Sequence, residues 1–293
     1  MKKAMIQLHT AIFLAGFTAI LGKLINLGAI SLVWWRLFVT VAVLFIFFRS
    51  GLKQINYSRH LKLSVLGVGA LVGLHWLCFF GSVKYANVSI ALVCFSSSGF
   101  FSALMEPFII NRKISFFEVA LGLVSMSGIY IIFHFDAQYK IGIGLGVAGA
   151  ALSALFSIFN KKLVQKMDGL HITAYEMAGA LAVASLVVVF SVSGGSAFWP
   201  QPIDWLWLGI LSLLCTVWAF VLQLKALHHI SAFTLNLSYN LEPVYGIVLA
   251  FIIFKENEHL NSAFYLGVLL IILALAVQMY MVKKRRNLSK SGI

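Results

Sequence analysis

Ten blocks of roughly membrane-spanning length dominate this chain, and between them lie only short charged or turn-rich pieces. The blocks cover 5–25, 31–49, 62–82, 88–110, 115–134, 141–160, 171–192, 204–223, 231–254 and 262–282. A helix needs about 20 mainly apolar residues to cross the hydrocarbon core of a bilayer. No soluble domain fits in the gaps. Of the 293 residues, 61% are hydrophobic and 11% charged, whereas a soluble domain carries about 25% charged residues to cover its surface. The sequence predicts an all-α integral membrane protein with ten transmembrane helices. The first block follows Met1-Lys2-Lys3 and resembles a signal peptide in its flank. It lacks a clear small-residue cleavage site and nine blocks follow it, so it reads as an uncleaved first helix.

The net charge of +13 raises the question of nucleic acid, and the distribution of the charge argues against it. With the N-terminus placed in the cytoplasm, the inner loops collect 17 of the 22 basic residues, including Arg49, Lys53, Arg59, Lys62, Arg112, Lys113, Lys161, Lys162 and Lys166. The outer loops hold Lys84, Lys140 and Lys255. That is the positive-inside bias, and it predicts both termini in the cytoplasm of a cell whose inner membrane holds the chain. The run Lys283-Lys284-Arg285-Arg286 then faces anionic lipid rather than a nucleic acid. Cys78, Cys94 and Cys215 all lie within blocks, pair at no metal-ligand spacing and read as small buried hydrophobes. No metal or other cofactor is expected, and no phosphate-binding Gly-x-x-x-x-Gly-Lys loop is present to power a pump.

An internal repeat organises the blocks. "SVKYANVSIALVCFSSSGFF" at 82–101 parallels "ALHHISAFTLNLSYNLEPVY" at 226–245, and "VALGLV" at 119–124 parallels "FYLGVL" at 264–269. Five blocks per half is an odd number, so the second half enters from the opposite side. The predicted architecture is two inverted five-helix repeats around a central cavity, 1–137 and 138–286, with a cytoplasmic tail at 287–293. Inverted repeats of this kind are a recurring plan of secondary transporters, because rocking one half against the other exposes a midplane site to each side in turn.

Three stretches carry a family resemblance: "LAGFTAILGKLINLGAISLVWWRLF" from residue 14, "FFGSVKYANVSIAL" from residue 79, and "ALHHISAFTLNLSYNLEPVYGIVLAFIIFKENEHLNSAFYLGVLLI" from residue 226. They resemble the EamA family of the drug/metabolite transporter superfamily, over essentially the whole chain. The resemblance implies ten helices around a central cavity and transport of small metabolites. The first half departs from the pattern, with Gly99 where the second half has Pro243 and Arg112 where it has Glu256, so equivalent groups from the two halves are not implied.

Polar residues inside the blocks nominate a site, since an intramembrane charge costs about 2.5–3.5 kcal/mol and normally faces protein or water. In block nine, Asn236, Tyr239, Asn240 and Pro243 share one helical stripe, and Ser238, Glu242 and Tyr245 the neighbouring one. Cavity lining and a hydrogen-bonded helix contact are the two readings, and an acid, two amides and two phenols favour the cavity. Ser98, Ser102 and Glu106 repeat every four residues in block four; they suit either close packing or cavity lining. His75, Trp76 and Phe79 sit mid-block three, with Trp218 and Gln223 in roughly the corresponding region of block eight. Arg36, after Trp34-Trp35, reads either as a snorkelling arginine in an aromatic belt or as an attractor for an anionic substrate group; the family often carries an arginine there. The small-xxx-small runs Gly69/Gly73 and Gly142/Gly146/Ala150 read as helix-packing positions.

The expected function is a secondary transporter, in the efflux direction, for a small metabolite such as an amino acid or aromatic compound. The candidate substrate-binding residues are Asn236, Tyr239, Asn240, Glu242, His75, Trp76, Phe79, Ser98, Ser102, Trp218 and Arg36. Glu242, His75 and Glu106 are the proton-coupling candidates. The partners are the small-molecule substrate and the lipid bilayer, with monomer and homodimer both open. The alternatives on the same scaffold are a lipid-linked sugar flippase and a non-transporting sensor. A membrane-embedded enzyme is disfavoured, because neither His-Glu-x-x-His nor Gly-x-Ser-x-Gly occurs.

Overall fold

The computed structural model describes residues 2–47, 57–111, 114–135, 137–191, 198–230, 235, 238–239 and 241–290. Among these residues the chain is helical, with no strand. The helices are α1 (Lys2–Leu24), α2 (Ala29–Phe47), α3 (Arg59–Tyr85), α4 (Val88–Phe95), α5 (Ser98–Ile110), α6 (Phe116–Phe135), α7 (Lys140–Leu163), α8 (Gly169–Ser191), α9 (Pro202–Ser212), α10 (Ala219–His229), α11 (Leu241–Phe254) and α12 (Ser262–Lys290). Seven described helices, counting α4 with α5 and α9 with α10 as single spans, are long and apolar enough to cross a membrane. Three shorter apolar helices, Phe116–Ile132, Leu241–Phe254 and Ser262–Ala274, lie in blocks five, nine and ten.

The ends of these helices follow from local chemistry. Asn87 accepts the Ile90 amide at 2.8 Å and Ser58 accepts that of Leu61 at 3.3 Å, each satisfying one of the amides left open at a helix start. Pro202 opens α9, where its missing N–H costs nothing. Asp204 then accepts the Gln201 amide at 3.0 Å and the Asn26 amide at 2.9 Å. The left-handed residues Asn111 and Lys255 end α5 and α11.

Packing explains the small residues. A Cβ on Gly69 would lie 2.2 Å from the Glu176 carbonyl oxygen, and one on Gly179 2.2 Å from that of Leu66. Glycine is therefore what allows α3 and α8 to touch backbone to backbone. α3 packs along α7 and α8, as α10 packs along α1; α5 packs on α7, as α11 packs on α1; α6 pairs with α12. Exchanging each block for the one five later maps α3–α7 onto α10–α1, α5–α7 onto α11–α1, and α6–α12 onto itself.

At one end of the bundle, Glu256 closes a buried polar knot. It accepts hydrogen bonds from Lys23 Nζ at 2.8 Å, the Val88 amide at 3.1 Å, the Ser89 amide at 2.9 Å and Ser89 Oγ at 2.6 Å. Burial opposes its ionisation, but the Lys23 and Ser89 hydrogen bonds prevail and hold the carboxyl below the usual carboxylate range. The opposite end is basic. There Tyr57 donates to Asp168 at 3.0 Å, and Asp168 also engages His171. Burial again works against the anion, and the His171 amide and the Tyr57 hydroxyl hold Asp168 low.

Candidate functional site

α9 does not run smoothly into α10. Leu213–Trp218 forms a π-helical turn, a local widening that recurs at functional sites. Thr216 Oγ1 donates to the carbonyl of Leu211, five residues back, at 2.7 Å. The same hydroxyl oxygen accepts from Arg36 Nε at 2.8 Å, and the Cys215 carbonyl lies 3.5 Å from Arg36 Nη2. The widened turn thus supplies two acceptors to an arginine of α2.

Arg36 is 2% exposed. It does not snorkel toward a membrane surface; it points into the protein, with its guanidinium stacked 3.7 Å above the ring centre of Trp76 and 5.4 Å from that of Phe80. Burying such an ion costs several kcal/mol. A desolvated cation–π contact returns about 2 kcal/mol and a hydrogen bond to a charged group about 1.5–3 kcal/mol. The compensation is incomplete, because Nη1 has no hydrogen-bond partner among the described residues. The neighbouring tryptophans build a cover rather than a lipid-facing belt alone. Trp35 donates to the Phe198 carbonyl at 2.8 Å and packs on Phe198, Trp199 and Trp205, while Trp34 donates to Ser185 at 3.0 Å.

Arg36 opens onto a cavity of about 70 Å³ that Glu242, Tyr239, His75, Trp76 and Phe79 also line. Five residues that stand out in the sequence in two separate blocks, with Arg36 from a third, therefore converge on one chamber. Glu242 is buried. It forms no ion pair with Arg36 among the described residues, although both face the same space. Tyr239 donates to Gln223 Oε1 at 3.0 Å. His75 Nδ1 lies 2.8 Å from the Gly149 carbonyl. A carbonyl only accepts, so Nδ1 carries the proton and Nε2 is the nitrogen left to gain one.

Other expected residues lie elsewhere. Ser98, Ser102 and Glu106 are buried in α5 and are not among the residues that line the chamber. Trp218 is about half exposed and lines a separate, larger groove on the opposite side of α10. Asn236 and Asn240 lie outside the described residues. Sequence reasoning missed Phe95, Phe156 and Phe220, which complete the aromatic wall. With 25 phenylalanines in the chain, nothing local marks these three. Among the described residues no group of histidine, cysteine and carboxylate side chains is placed to hold a metal ion.

The chamber is buried and aromatic-walled, and its described lining includes the Arg36 guanidinium and the Glu242 carboxyl group. Comparison with known proteins gives the family. The model of the EamA-like transporter family matches residues 2–134 and again residues 140–280, one match per half. An uncharacterized transporter of Archaeoglobus fulgidus is 23% identical over 268 residues, covering 88% of this chain and 91% of its own. An uncharacterized transporter of Clostridium kluyveri is 26% identical over 219 residues, covering 71% and 69%. A solved structure, described only as the crystal structure of a protein, superposes with a TM-score of 0.67 over 97% of this chain and 98% of its own, at 20% identity, which shows a shared fold. With two family-model matches that together span nearly all of its length, this chain is a membrane protein of the EamA-like transporter family.

Proposed function

We propose that the protein is a secondary carrier for a small zwitterionic metabolite with an apolar or aromatic side chain, an amino acid by chemistry, and that it moves this substrate outward in exchange for protons. The observation that carries the proposal is the presence of a buried guanidinium and a buried carboxyl group in one chamber. Arg36 keeps an Nη1 without a hydrogen-bond partner among the described residues, and the buried Glu242 carboxyl faces the same aromatic space. A buried polar group without a partner costs about 1–3 kcal/mol and calls for an explanation. A substrate carboxylate answers the guanidinium, which suits planar two-oxygen anions; a substrate ammonium answers Glu242; the six aromatic rings take the side chain.

Direction follows from competition. Glu242 holds an ammonium only while ionised, so a proton and the substrate exclude each other. Exclusion at one site is exchange, and an inward proton gradient then drives the substrate out. His75 Nε2 is the neighbouring group able to relay that proton. At about 70 Å³ the chamber holds no more than a few waters at roughly 30 Å³ each, so the substrate-bound form requires the helices to part. The pairing of contacts between blocks five apart supports two inverted five-helix halves, ten spans in all, that rock about this chamber. The positive-inside distribution supports the end bearing Lys161, Lys166 and Lys225 as cytoplasmic.

The test uses proteoliposomes loaded with phenylalanine and three external competitors: phenylalanine, its amide, which lacks the carboxylate, and its N-acetyl form, which lacks the ammonium. Only the zwitterion should compete in the wild type. Arg36→Gln should lose the preference over the amide and Glu242→Gln the preference over the N-acetyl form. Equal competition by all three in the wild type rules the reading out.

A further inference from the structure

The second face of α10 carries a site that the carrier reading leaves unused. Trp218, Val221, Lys225 and His228 recur at three- and four-residue steps along one stripe, apolar at its start and basic at its end. This stripe forms a wall of an open groove of about 1100 Å³, larger than the roughly 300–1,000 Å³ of an ordinary small-molecule pocket. Leu213 and Val217 extend the apolar half; Lys166 and His229 extend the basic rim. Lys166, Lys225, His228 and His229 are all exposed. The acid of the rim, Asp168, bonds Tyr57, His171 and backbone amides and forms no ion pair with Lys166 or Lys225 among the described residues, so two lysines face one acid.

We propose that this groove binds one anionic phospholipid, its phosphate on Lys166 and Lys225 and an acyl chain along Leu213, Val217 and Trp218. The argument is one of matched polarity. Seven residues separate Trp218 from Lys225, about 10 Å along a helix, and the basic end of the stripe is the basic end of the bundle. A phospholipid in the adjoining leaflet has the same order, charged head at the interface and chain toward the midplane. A soluble phosphate would use the rim and gain nothing from the exposed tryptophan. Basic pockets between spanning helices are known to hold anionic head groups. The π-helical turn contributes directly, because it leaves Leu213 and Trp218 on the groove side while Cys215 and Thr216 face Arg36.

The experiment is native mass spectrometry of the full chain released from nanodiscs that mix dioleoyl phosphatidylglycerol with dioleoyl phosphatidylcholine. The wild type should retain phosphatidylglycerol selectively. The double substitution Lys166→Gln, Lys225→Gln should lower that retention by about 30-fold, at roughly fivefold per surface lysine. Trp218→Ala should weaken retention of the dioleoyl lipid while leaving a dihexanoyl analogue unaffected. All three side chains are exposed, and an unchanged elution profile in size exclusion confirms that the variants fold. Equal retention of the two lipids by the wild type overturns the proposal. So does a double variant that keeps phosphatidylglycerol, or displacement of the lipid by inorganic phosphate with equal ease in wild type and Trp218→Ala. The readout is binding, so it stands or falls apart from the identity of the transported substrate.

Discussion

Two glutamates of the second half are buried to nearly the same degree, Glu242 at 4% and Glu256 at 3% exposure, yet their surroundings are opposite. Glu256 is saturated: four donors from three residues of the first half converge on it. Glu242 faces a chamber and, among the described residues, forms no ion pair with the Arg36 that shares it. A saturated buried carboxylate fixes one geometry, because every lone pair is spoken for. An unsaturated one retains interaction free energy for something that arrives and leaves. The difference separates a carboxylate bonded across the halves from one that borders a chamber, and burial alone does not reveal it.

The largest effect that tests this contrast is at Glu242. Glu242→Gln should abolish exchange driven by a pH gradient in proteoliposomes, with residual movement independent of pH and with the folded yield unchanged. If the variant responds to pH as the wild type does, Glu242 belongs with Glu256 as a structural group. Arg36→Gln comes next. Removing a charge-assisted contact to substrate should lower transport about a hundredfold, whereas the melting temperature should hold or rise because an uncompensated buried ion has gone. A variant that transports normally but melts early would reverse the assignment.

Glu256→Gln should do what Arg36→Gln does not. It should destabilise the protein by about 2–3 kcal/mol, measured as a lowered melting temperature in detergent. The pH dependence has a definite sign. The folded-state carboxyl ionises below its ordinary range, so its contribution is complete above the unfolded value near 4.3 and is lost as pH falls through the depressed folded value. The wild type should lose stability across that acidic window, and the variant should lack that component of the loss. The smallest effect belongs to Tyr239→Phe. It removes one neutral hydrogen bond to Gln223 and should cost about 1 kcal/mol of stability, read as a small drop in melting temperature.

The same contrast shows what a sequence can display. The apolar blocks write the spanning helices directly, since hydropathy over about twenty residues is a one-dimensional property. The Glu242 and His75 positions were legible because a titratable side chain in an apolar run is conspicuous. Arg36 was conspicuous too, but its direction was not, because stacking on Trp76 and bonding to Thr216 join residues far apart in sequence. Trp218 shared a block with Gln223 and was grouped with it, although Ala219, Phe220 and Gln223 turn toward the chamber while Trp218 turns away. The serines of block four have the spacing of a polar stripe and are buried in α5 instead. Serine spacing describes close packing and cavity lining equally well, so only three-dimensional neighbours decide between them.

The six-residue turn at Leu213–Trp218 also bears on how relatives of this protein can diverge. Deleting a single codon there, so that the ladder closes as ordinary α-helix, would swing every later residue of the span by about 100° relative to the earlier ones. Gln223 would then turn out of the chamber, Lys225 would take the buried position that Leu224 now holds, and Arg36 would lose its carbonyl acceptor. A loss of three nucleotides at that turn should thus disrupt the molecule more than most substitutions along the same helix.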